Sequence, residues 1–137
     1  MPRIVSTRAL KIDCEDDVVL VRRAARELAH ARGFDAFATA AVTTAASELA
    51  RNVWTHAQMG VATLEEVTDG IRTGVRLVFS DKGPGIANVD RVLAGGYSTA
   101  RSLGLGVSGT RRLVDEFDLQ TVPGQGTTVT ITKWTRF

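Results

Sequence analysis

Apolar and polar residues alternate along several short segments of this chain, which is the pattern of β-strands that bury one face. The segment 3–12 alternates roughly, and 61–67, 75–80, 118–122 and 127–134 are further strand candidates. Asp69 and Gly70 lie between the second and third segments in the manner of a hairpin loop, and residues 123–126 separate the last two as a turn. The pattern therefore predicts a mainly antiparallel sheet.

Three other segments repeat their apolar residues every three or four positions, which predicts helices over 15–32, 35–56 and 106–116. We expect Asp13 to cap the first helix and Asp35 to cap the second. The second helix is rich in alanine on its apolar side, so it should pack closely on the sheet. The predicted fold class is α/β, a two-layer sandwich with a mainly antiparallel mixed sheet and helices on one face.

The composition excludes several classes of protein but does not identify a function. The 137 residues are 44% hydrophobic and 23% charged, which predicts one folded domain over 1–137 rather than a disordered chain. A net charge of +2 gives no reason to expect nucleic-acid binding. No apolar run is long enough for a membrane span and the first residues do not resemble a secretion signal, so we expect a cytoplasmic protein. Cys14 has no partner for an internal disulfide.

The glycines Gly104, Gly106 and Gly109 match the dinucleotide fingerprint G-x-G-x-x-G, but their context argues against that assignment. The fingerprint must follow a strand and precede an acidic ribose reader, and neither is predicted here. The physical property of such a loop still holds, because backbone N–H groups without neighbouring Cβ atoms can approach phosphate oxygens closely.

Polar residues at two other positions could complete a nucleotide site. Asp81 ends a predicted strand before a Gly-Pro-Gly turn, where its carboxylate could accept a hydrogen bond from an exocyclic amine such as that of adenine or could simply begin the turn. Glu48 and Asn52 lie four residues apart and so share one side of the second helix. An asparagine oxygen suits Mg²⁺ and a carboxylate can deprotonate a hydroxyl, although capping of other backbone groups is the favoured explanation of such a pair taken in isolation. We interpret His30 and His56 as surface or core residues.

Taken in order, four motifs resemble the N, G1, G2 and G3 boxes of the Bergerat ATP-binding fold, the fold of gyrase, chaperone and histidine-kinase ATPases. They are Glu48-x-x-x-Asn52, Asp81-x-Gly83-x-Gly85, Gly104-x-Gly106-x-x-Gly109 and Gly126-Thr127. Within that fold, the sequences of residues 47–52, 96–99 and 112–117 are similar to those of the RsbT-type switch serine kinases of the stressosome, a group of anti-sigma-factor kinases.

This resemblance implies ATP and Mg²⁺ as cofactors, with Glu48 as general base and Asn52 as both nucleotide and metal ligand. It implies that Asp81 binds the adenine amine with help from Thr127. The nucleotide-binding set also includes Gly83, Gly85, Ser98, Thr99, Gly104, Leu105, Gly106, Val107 and Gly109. The glycine segment 104–109 would hold phosphates, and Ser98 and Thr99 belong to a segment, 86–103, that the sequence predicts to be a lid.

The resemblance also implies protein partners. The substrate would be a serine on a STAS-domain antagonist, and the released kinase would activate a PP2C-type phosphatase, with a stressosome assembly as a further candidate. Two alternatives stay open: an anti-sigma factor that phosphorylates an anti-anti-sigma protein, and a nucleotide-regulated binding module with little kinase activity. The sequence does not indicate the oligomeric state.

Overall fold

The alternating segments form the five strands of one sheet, and the two longest periodic segments form its helices. The computed structural model describes residues 2–85 and 109–135. Its elements in chain order are β1 (Arg3–Ile12), α1 (Glu15–Ala31), α2 (Ala36–Ala57), β2 (Gly60–Thr68), β3 (Thr73–Asp81), β4 (Glu116–Val122) and β5 (Gly126–Trp134). Residues 109–113 are also helical. No helix of the described ranges is both long and apolar enough to cross a membrane.

The sheet has the strand order β1-β2-β3-β5-β4. Every strand pair within the described ranges is antiparallel, which confirms the mainly antiparallel prediction and shows no parallel pair there. Leu77 in β3 lies opposite Leu64 in β2 and Ile131 in β5. All three side chains are less than 5% exposed. Because alternate residues of a strand point to opposite faces, these neighbours define the apolar face on which the helices pack.

Small residues bring α2 close to that face. Ala45, Ala46 and Ala50 are completely buried, and no large side chain separates this stretch of the helix backbone from its neighbours. The start of α2 is fixed as predicted, because Asp35 Oδ1 accepts a hydrogen bond of 2.8 Å from the Ala38 amide. The position of α2 over the sheet is therefore set both by its cap and by its alanine face.

The start of α1 differs from the prediction that Asp13 caps it. Cys14 is the residue before the helix, and its side chain makes no capping hydrogen bond. The Asp13 amide instead donates to Asp17 Oδ2 over 3.0 Å, and the Asp13 carboxylate pairs with Lys11 at 3.1 Å. A carboxylate in the first turn thus reaches back past the N-cap residue Cys14 to the amide of the residue before it.

The third predicted helix, 106–116, is shorter at its C-terminal end. The helical segment ends at residue 113, and β4 begins at Glu116, two residues before the predicted start of that strand. Asp115 explains the change, because its amide donates to Thr132 O over 3.0 Å and its carboxylate accepts from the Trp134 amide over 2.8 Å. These bonds tie the chain to β5 where the helix would otherwise continue.

Candidate functional site

A cavity opens where the C-terminal half of α2 meets the end of β3 and the start of β5. It measures about 90 Å³, several times the space that one water molecule needs. Apolar side chains form most of its wall, and a few polar groups converge on it, as is usual for small-molecule sites. The lining residues are Leu49, Asn52, Val53, His56, Phe79, Asp81, Pro84, Gly85, Thr127 and Val129.

Asp81 is the last residue of β3, and it lies in the cavity wall as the sequence predicts. Its Oδ1 accepts a hydrogen bond of 2.8 Å from the Gly83 amide, which fixes the side chain across the turn that follows the strand. The described residues give this carboxylate no second hydrogen-bond donor. One carboxylate oxygen is therefore held by the backbone, and the other is available to a ligand in the cavity.

The turn after Asp81 needs glycine because the chain passes very close to its neighbours. A Cβ at Gly83 would lie 2.6 Å from the Cβ of Ala57, the last residue of α2. Gly85 has a φ of +76°, and a Cβ there would lie 2.6 Å from the carbonyl oxygen of Val122. Both glycines therefore allow the turn to pack between the end of α2 and the β4–β5 hairpin, which brings Asp81 to the cavity.

Gly126 and Thr127 complete this corner of the site from β5. Thr127 pairs with Asp81 across the β3–β5 ladder, and both residues line the cavity. The Thr127 hydroxyl lies 3.0 Å from that of Thr121 in β4. Gly126 has a φ of +139°, and a Cβ at this position would collide with the carbonyl oxygen of Asp81. Gly126 of the G3 motif thus allows β5 to pack directly against Asp81 of the G1 motif.

The helix α2 presents Asn52 to the opposite wall of the cavity. The Asn52 side-chain nitrogen is buried and has no hydrogen-bond partner among the described residues. Buried amides are nearly always hydrogen-bonded, and an unpaired one is costly. A polar ligand in the cavity that accepts a hydrogen bond from the Asn52 nitrogen would satisfy this donor.

Glu48 lies one helical turn before Asn52 and is half-buried. It shares the side of α2 that carries Asn52, as the four-residue spacing predicts, but it is not one of the residues lining the cavity. Glu48 therefore lies outside the cavity lining, one turn from Asn52 in the direction away from His56 along α2.

His56 is a cavity residue that sequence reasoning missed. It lies one turn after Asn52 on the same side of α2 and lines the cavity, whereas the sequence predicts a surface or core residue. Burial lowers the pKa of His56 below its ordinary value of 6.5, and the negative charge of Asp81 opposes part of that shift. Its spacing of four residues from Asn52 and eight from Glu48 is consistent with a site residue, but buried core side chains of α2 have the same spacing.

Of the remaining predicted site residues, most lie outside the described ranges. Ser98, Thr99, Gly104, Leu105, Gly106 and Val107 lie outside the described residues, as does the predicted lid at 86–103. Gly109 is described: it is exposed, begins the helical segment 109–113, and is not part of the cavity lining. Among the predicted residues of the described ranges, the structure brings together Asn52, Asp81, Gly85 and Thr127.

Comparison with known families decides the classification. A family profile described as the histidine kinase-like ATPase domain matches residues 11–133, which is nearly the whole chain. The chain belongs to the histidine kinase-like ATPase family. Domains of this family bind ATP, so the cavity between α2, β3 and β5 is the candidate ATP site.

A curated relative gives the enzyme class. Over 127 residues, which make up 93% of this chain and 96% of the relative, the sequence is 40% identical to the serine/threonine-protein kinase RsbT of Bacillus subtilis (strain 168). At that identity and coverage the chain belongs to the same kinase family. The enzyme class is therefore that of the serine/threonine-protein kinases, and the predicted resemblance of the chain to the Bergerat-type switch kinases is confirmed.

Proposed function

We propose that this protein is a cytoplasmic, single-domain serine kinase of a partner-switching stress pathway. Its substrate is a serine of a STAS-domain antagonist, and the kinase activates a PP2C-type phosphatase once it leaves that antagonist or a larger stressosome assembly. The observation that carries the catalytic part of the proposal is the convergence of Asp81 and Asn52 on one cavity. These residues lie 29 positions apart in the sequence and belong to different elements.

The base of ATP fits the end of the cavity at Asp81. A carboxylate held at one oxygen by the Gly83 amide offers the other oxygen as an acceptor, which suits the exocyclic amine of adenine and disfavours the carbonyl of guanine at the same place. Phe79 and Val129 provide an apolar wall for a flat ring. Thr127 adds a hydroxyl beside the carboxylate.

The phosphates and Mg²⁺ fit the end of the cavity at Asn52. An asparagine side chain offers an oxygen that suits Mg²⁺ and a nitrogen that can donate to a phosphate oxygen, and the Asn52 nitrogen is buried without a partner among the described residues. Mg²⁺, when bound, neutralises charge on the transferring phosphate. Asn52 would hold it, and the predicted glycine segment 104–109 would contribute backbone donors to the phosphates.

Glu48 supplies the general base in this proposal. Its carboxylate would accept the proton of the substrate serine hydroxyl while that oxygen attacks the terminal phosphorus of ATP and ADP leaves. Glu48 is half-buried and lies one turn from Asn52, so it belongs to the same helix as the proposed metal ligand and is still accessible to a substrate. Catalysis then depends on positioning and charge, which a small set of side chains can provide.

The decisive experiment is a transfer assay with purified proteins. We expect the kinase to move the labelled γ-phosphate of ATP to one serine of a STAS-domain antagonist from the same organism, with the site assigned by mass spectrometry. Glu48→Gln should retain nucleotide affinity and lose about 10²- to 10⁴-fold of the transfer rate. Glu27→Gln, which changes an exposed carboxylate of α1, should change neither quantity.

The same assay separates the alternatives. Equal transfer by Glu48→Gln would remove Glu48 from the role of general base. Tight association with a sigma factor, together with phosphorylation of an anti-anti-sigma protein, would replace the switch kinase with an anti-sigma factor. ATP-dependent association with an antagonist that never becomes phosphorylated would favour a nucleotide-regulated binding module.

A further inference from the structure

The cavity wall contains four polar side chains, and the base of ATP needs more from them than one acceptor. They are the side chains of Asn52, His56, Asp81 and Thr127. Asp81 offers an acceptor for the exocyclic amine, and Asn52 offers its donor from the opposite wall. Adenine also has a ring nitrogen on each side of its amine, and these nitrogens accept hydrogen bonds. A complete match to adenine therefore needs a donor beside Asp81.

The hydroxyl of Thr127 is not that donor, because its hydrogen is already used within the sheet. Thr121 Oγ1 donates to the carbonyl oxygen of Gly126 over 3.1 Å, and a hydroxyl has only one hydrogen to donate. In the contact of 3.0 Å between the two threonine hydroxyls, Thr127 is therefore the donor and Thr121 the acceptor. The Thr127 oxygen remains an acceptor, which suits the exocyclic amine and does not suit a ring nitrogen.

His56 carries the donor that is left. It is half-buried in the cavity wall, and neither of its ring nitrogens forms a hydrogen bond with a residue of 2–85 or 109–135. The lowered pKa of His56 favours the neutral imidazole, which has one N–H donor and one acceptor nitrogen. His56 is close enough to Asp81 for the negative charge of that carboxylate to act on it. An N–H group on this ring would thus lie near the edge of a base that Asp81 holds.

A structural role explains His56 less well. It lies in the last turn of α2, where the helix dipole favours a cationic side chain, but its lowered pKa favours the neutral form. Carbonyl groups of that turn are also satisfied without it. The Gln58 amide donates to the carbonyl oxygens of Val53 and Trp54, and the Gln58 side chain donates to that of Thr55. The feature that distinguishes His56 is its place in the cavity beside Asp81.

We propose that His56 is a base-specificity residue, which donates a hydrogen bond from its imidazole N–H to a ring nitrogen of adenine next to the amine that Asp81 holds. The carboxylate and the imidazole then form an acceptor and donor pair that matches the donor and acceptor pair of adenine. Guanine has an oxygen in place of the amine and presents an acceptor to Asp81 instead. The inference rests on the proposed binding of ATP in this cavity and gives His56 no part in phosphoryl transfer.

Nucleotides that lack one ring nitrogen test this hydrogen bond directly. In 1-deaza-ATP and 7-deaza-ATP, a C–H group replaces one of the two nitrogens beside the amine. By isothermal titration calorimetry with Mg²⁺, we expect the wild-type protein to bind one of these analogues about tenfold more weakly than ATP. His56→Leu should bind ATP about tenfold more weakly than the wild type and should bind that analogue as well as it binds ATP. His56→Gln keeps an N–H donor and should retain part of the discrimination.

Two further variants control for the loss of a histidine and for the neighbouring hydroxyl. His30→Gln replaces an exposed histidine of α1 and should bind all three nucleotides like the wild type. Thr127→Val should preserve the ratio of the affinities for ATP and the weaker analogue. Loss of this ratio in Thr127→Val, together with its retention in His56→Leu, would overturn the proposal and assign the donor to Thr127. Equal binding of ATP and both analogues by the wild type would overturn it as well.

A measurement on the wild-type protein keeps the test valid if His56→Leu fails to fold. The chain has 2 histidines, so NMR of protein labelled with ¹⁵N-histidine can follow the ring of His56, with His30→Gln to assign the signals. Saturating ATP should slow the exchange of the His56 ring N–H with water and make its proton signal visible. The weaker analogue at saturation should not do so. A His56 ring signal that is the same with ATP and without nucleotide would overturn the proposal.

This proposal and the proposed function fail separately. Nucleotide affinity is measured without a protein substrate, so discrimination through His56 would stand even if no antagonist were phosphorylated. If the antagonist is phosphorylated while ATP and both analogues bind equally, the proposed function stands and His56 has no part in base recognition. An absence of ATP binding by the wild-type protein would overturn both proposals.

Discussion

At the scale of single residues, Asp81 is the group on which nucleotide selection should depend most. Asp81→Asn keeps an oxygen for the Gly83 amide but replaces the free acceptor with a donor. We expect ATP affinity to fall about ten- to a hundredfold, since a site that loses its partner for a substrate donor is left with an unsatisfied polar group. Isothermal titration calorimetry with ATP and GTP would measure the loss, with the exposed β4 residue Asp118→Asn as control. Equal ATP affinity in both variants would exclude Asp81 from base recognition.

His56 should make the stability of the protein depend on pH. Because its pKa is lowered in the folded state, the unfolded chain binds this proton more readily once the pH drops below about 6.5. The stabilising contribution is therefore complete above pH 6.5 and decreases as the pH falls through the lowered pKa. We expect His56→Gln to lose less stability than the wild type between pH 7.5 and 5.5, as measured by urea unfolding. His30→Gln, an exposed histidine of α1, should behave like the wild type, and a wild-type pH dependence in His56→Gln would contradict the prediction.

At the scale of elements, the β4–β5 hairpin should be intolerant of a side chain at Gly126. A Cβ there would meet the Asp81 backbone, which cannot move without disturbing the β3–β5 ladder. Gly126→Ala should therefore lower the free energy of unfolding by about 2–4 kcal/mol through overpacking and strain, and weaken nucleotide binding as well. Gly124 is a matched control in the same hairpin: its φ is +82°, but a Cβ there would have nothing within 4 Å. Gly124→Ala should cost only the strain of its backbone, about 1 kcal/mol. Chemical denaturation would compare the two, and equal losses would show that the contact with Asp81 contributes nothing.

The elements themselves were largely predictable from local patterns, and the errors have identifiable causes. The local pattern located all five strands; it is clearest where a strand buries one face, as β3 and β5 do, whereas β1 is exposed over most of its length and buries only Ile12. The predicted end of the third helix was wrong because Leu113, Val114 and Phe117 repeat with a helical spacing. The hydrogen bonds that end the helix join Asp115 to β5, which is distant in the sequence. The predicted cap at Asp13 is a similar error. The Asp13 amide donates a hydrogen bond to the Asp17 carboxylate, and the Asp13 carboxylate does not cap α1.

The site was predictable where a motif carried it and not elsewhere. Asp81, Asn52 and Thr127 were identified from ordered motifs, and the structure brings them to one cavity. His56 could not be separated from an ordinary helix residue, because the same spacing also places buried core side chains on α2. What decides its environment is the packing of β3 against α2, which brings Asp81 near it. Tertiary proximity of this kind is not encoded in the residues next to His56.

At the scale of the whole molecule, ligand binding should stabilise the entire fold, because the candidate ATP site is built from its core. Leu49, Phe79 and Val129 line the cavity and also belong to the hydrophobic core that joins both helices to the sheet. A ligand that binds only the folded state at a hundred times its Kd adds about 2.7 kcal/mol to the stability. For a domain of this size that corresponds to a rise in Tm of roughly 8–10 °C.

We therefore expect ATP or ADP with Mg²⁺ to raise the Tm by this amount in a thermal melt followed by circular dichroism. GTP at the same concentration should have little effect, because its base presents an acceptor to the free oxygen of Asp81. Asn52→Ala should reduce the shift that Mg²⁺ adds, since it removes the proposed metal ligand while leaving the end of the cavity at Asp81 intact. A rise in Tm that is equal for ATP and GTP would show that Asp81 does not select the base. No rise at saturating ATP would contradict nucleotide binding to the folded protein, and with it the candidate ATP site.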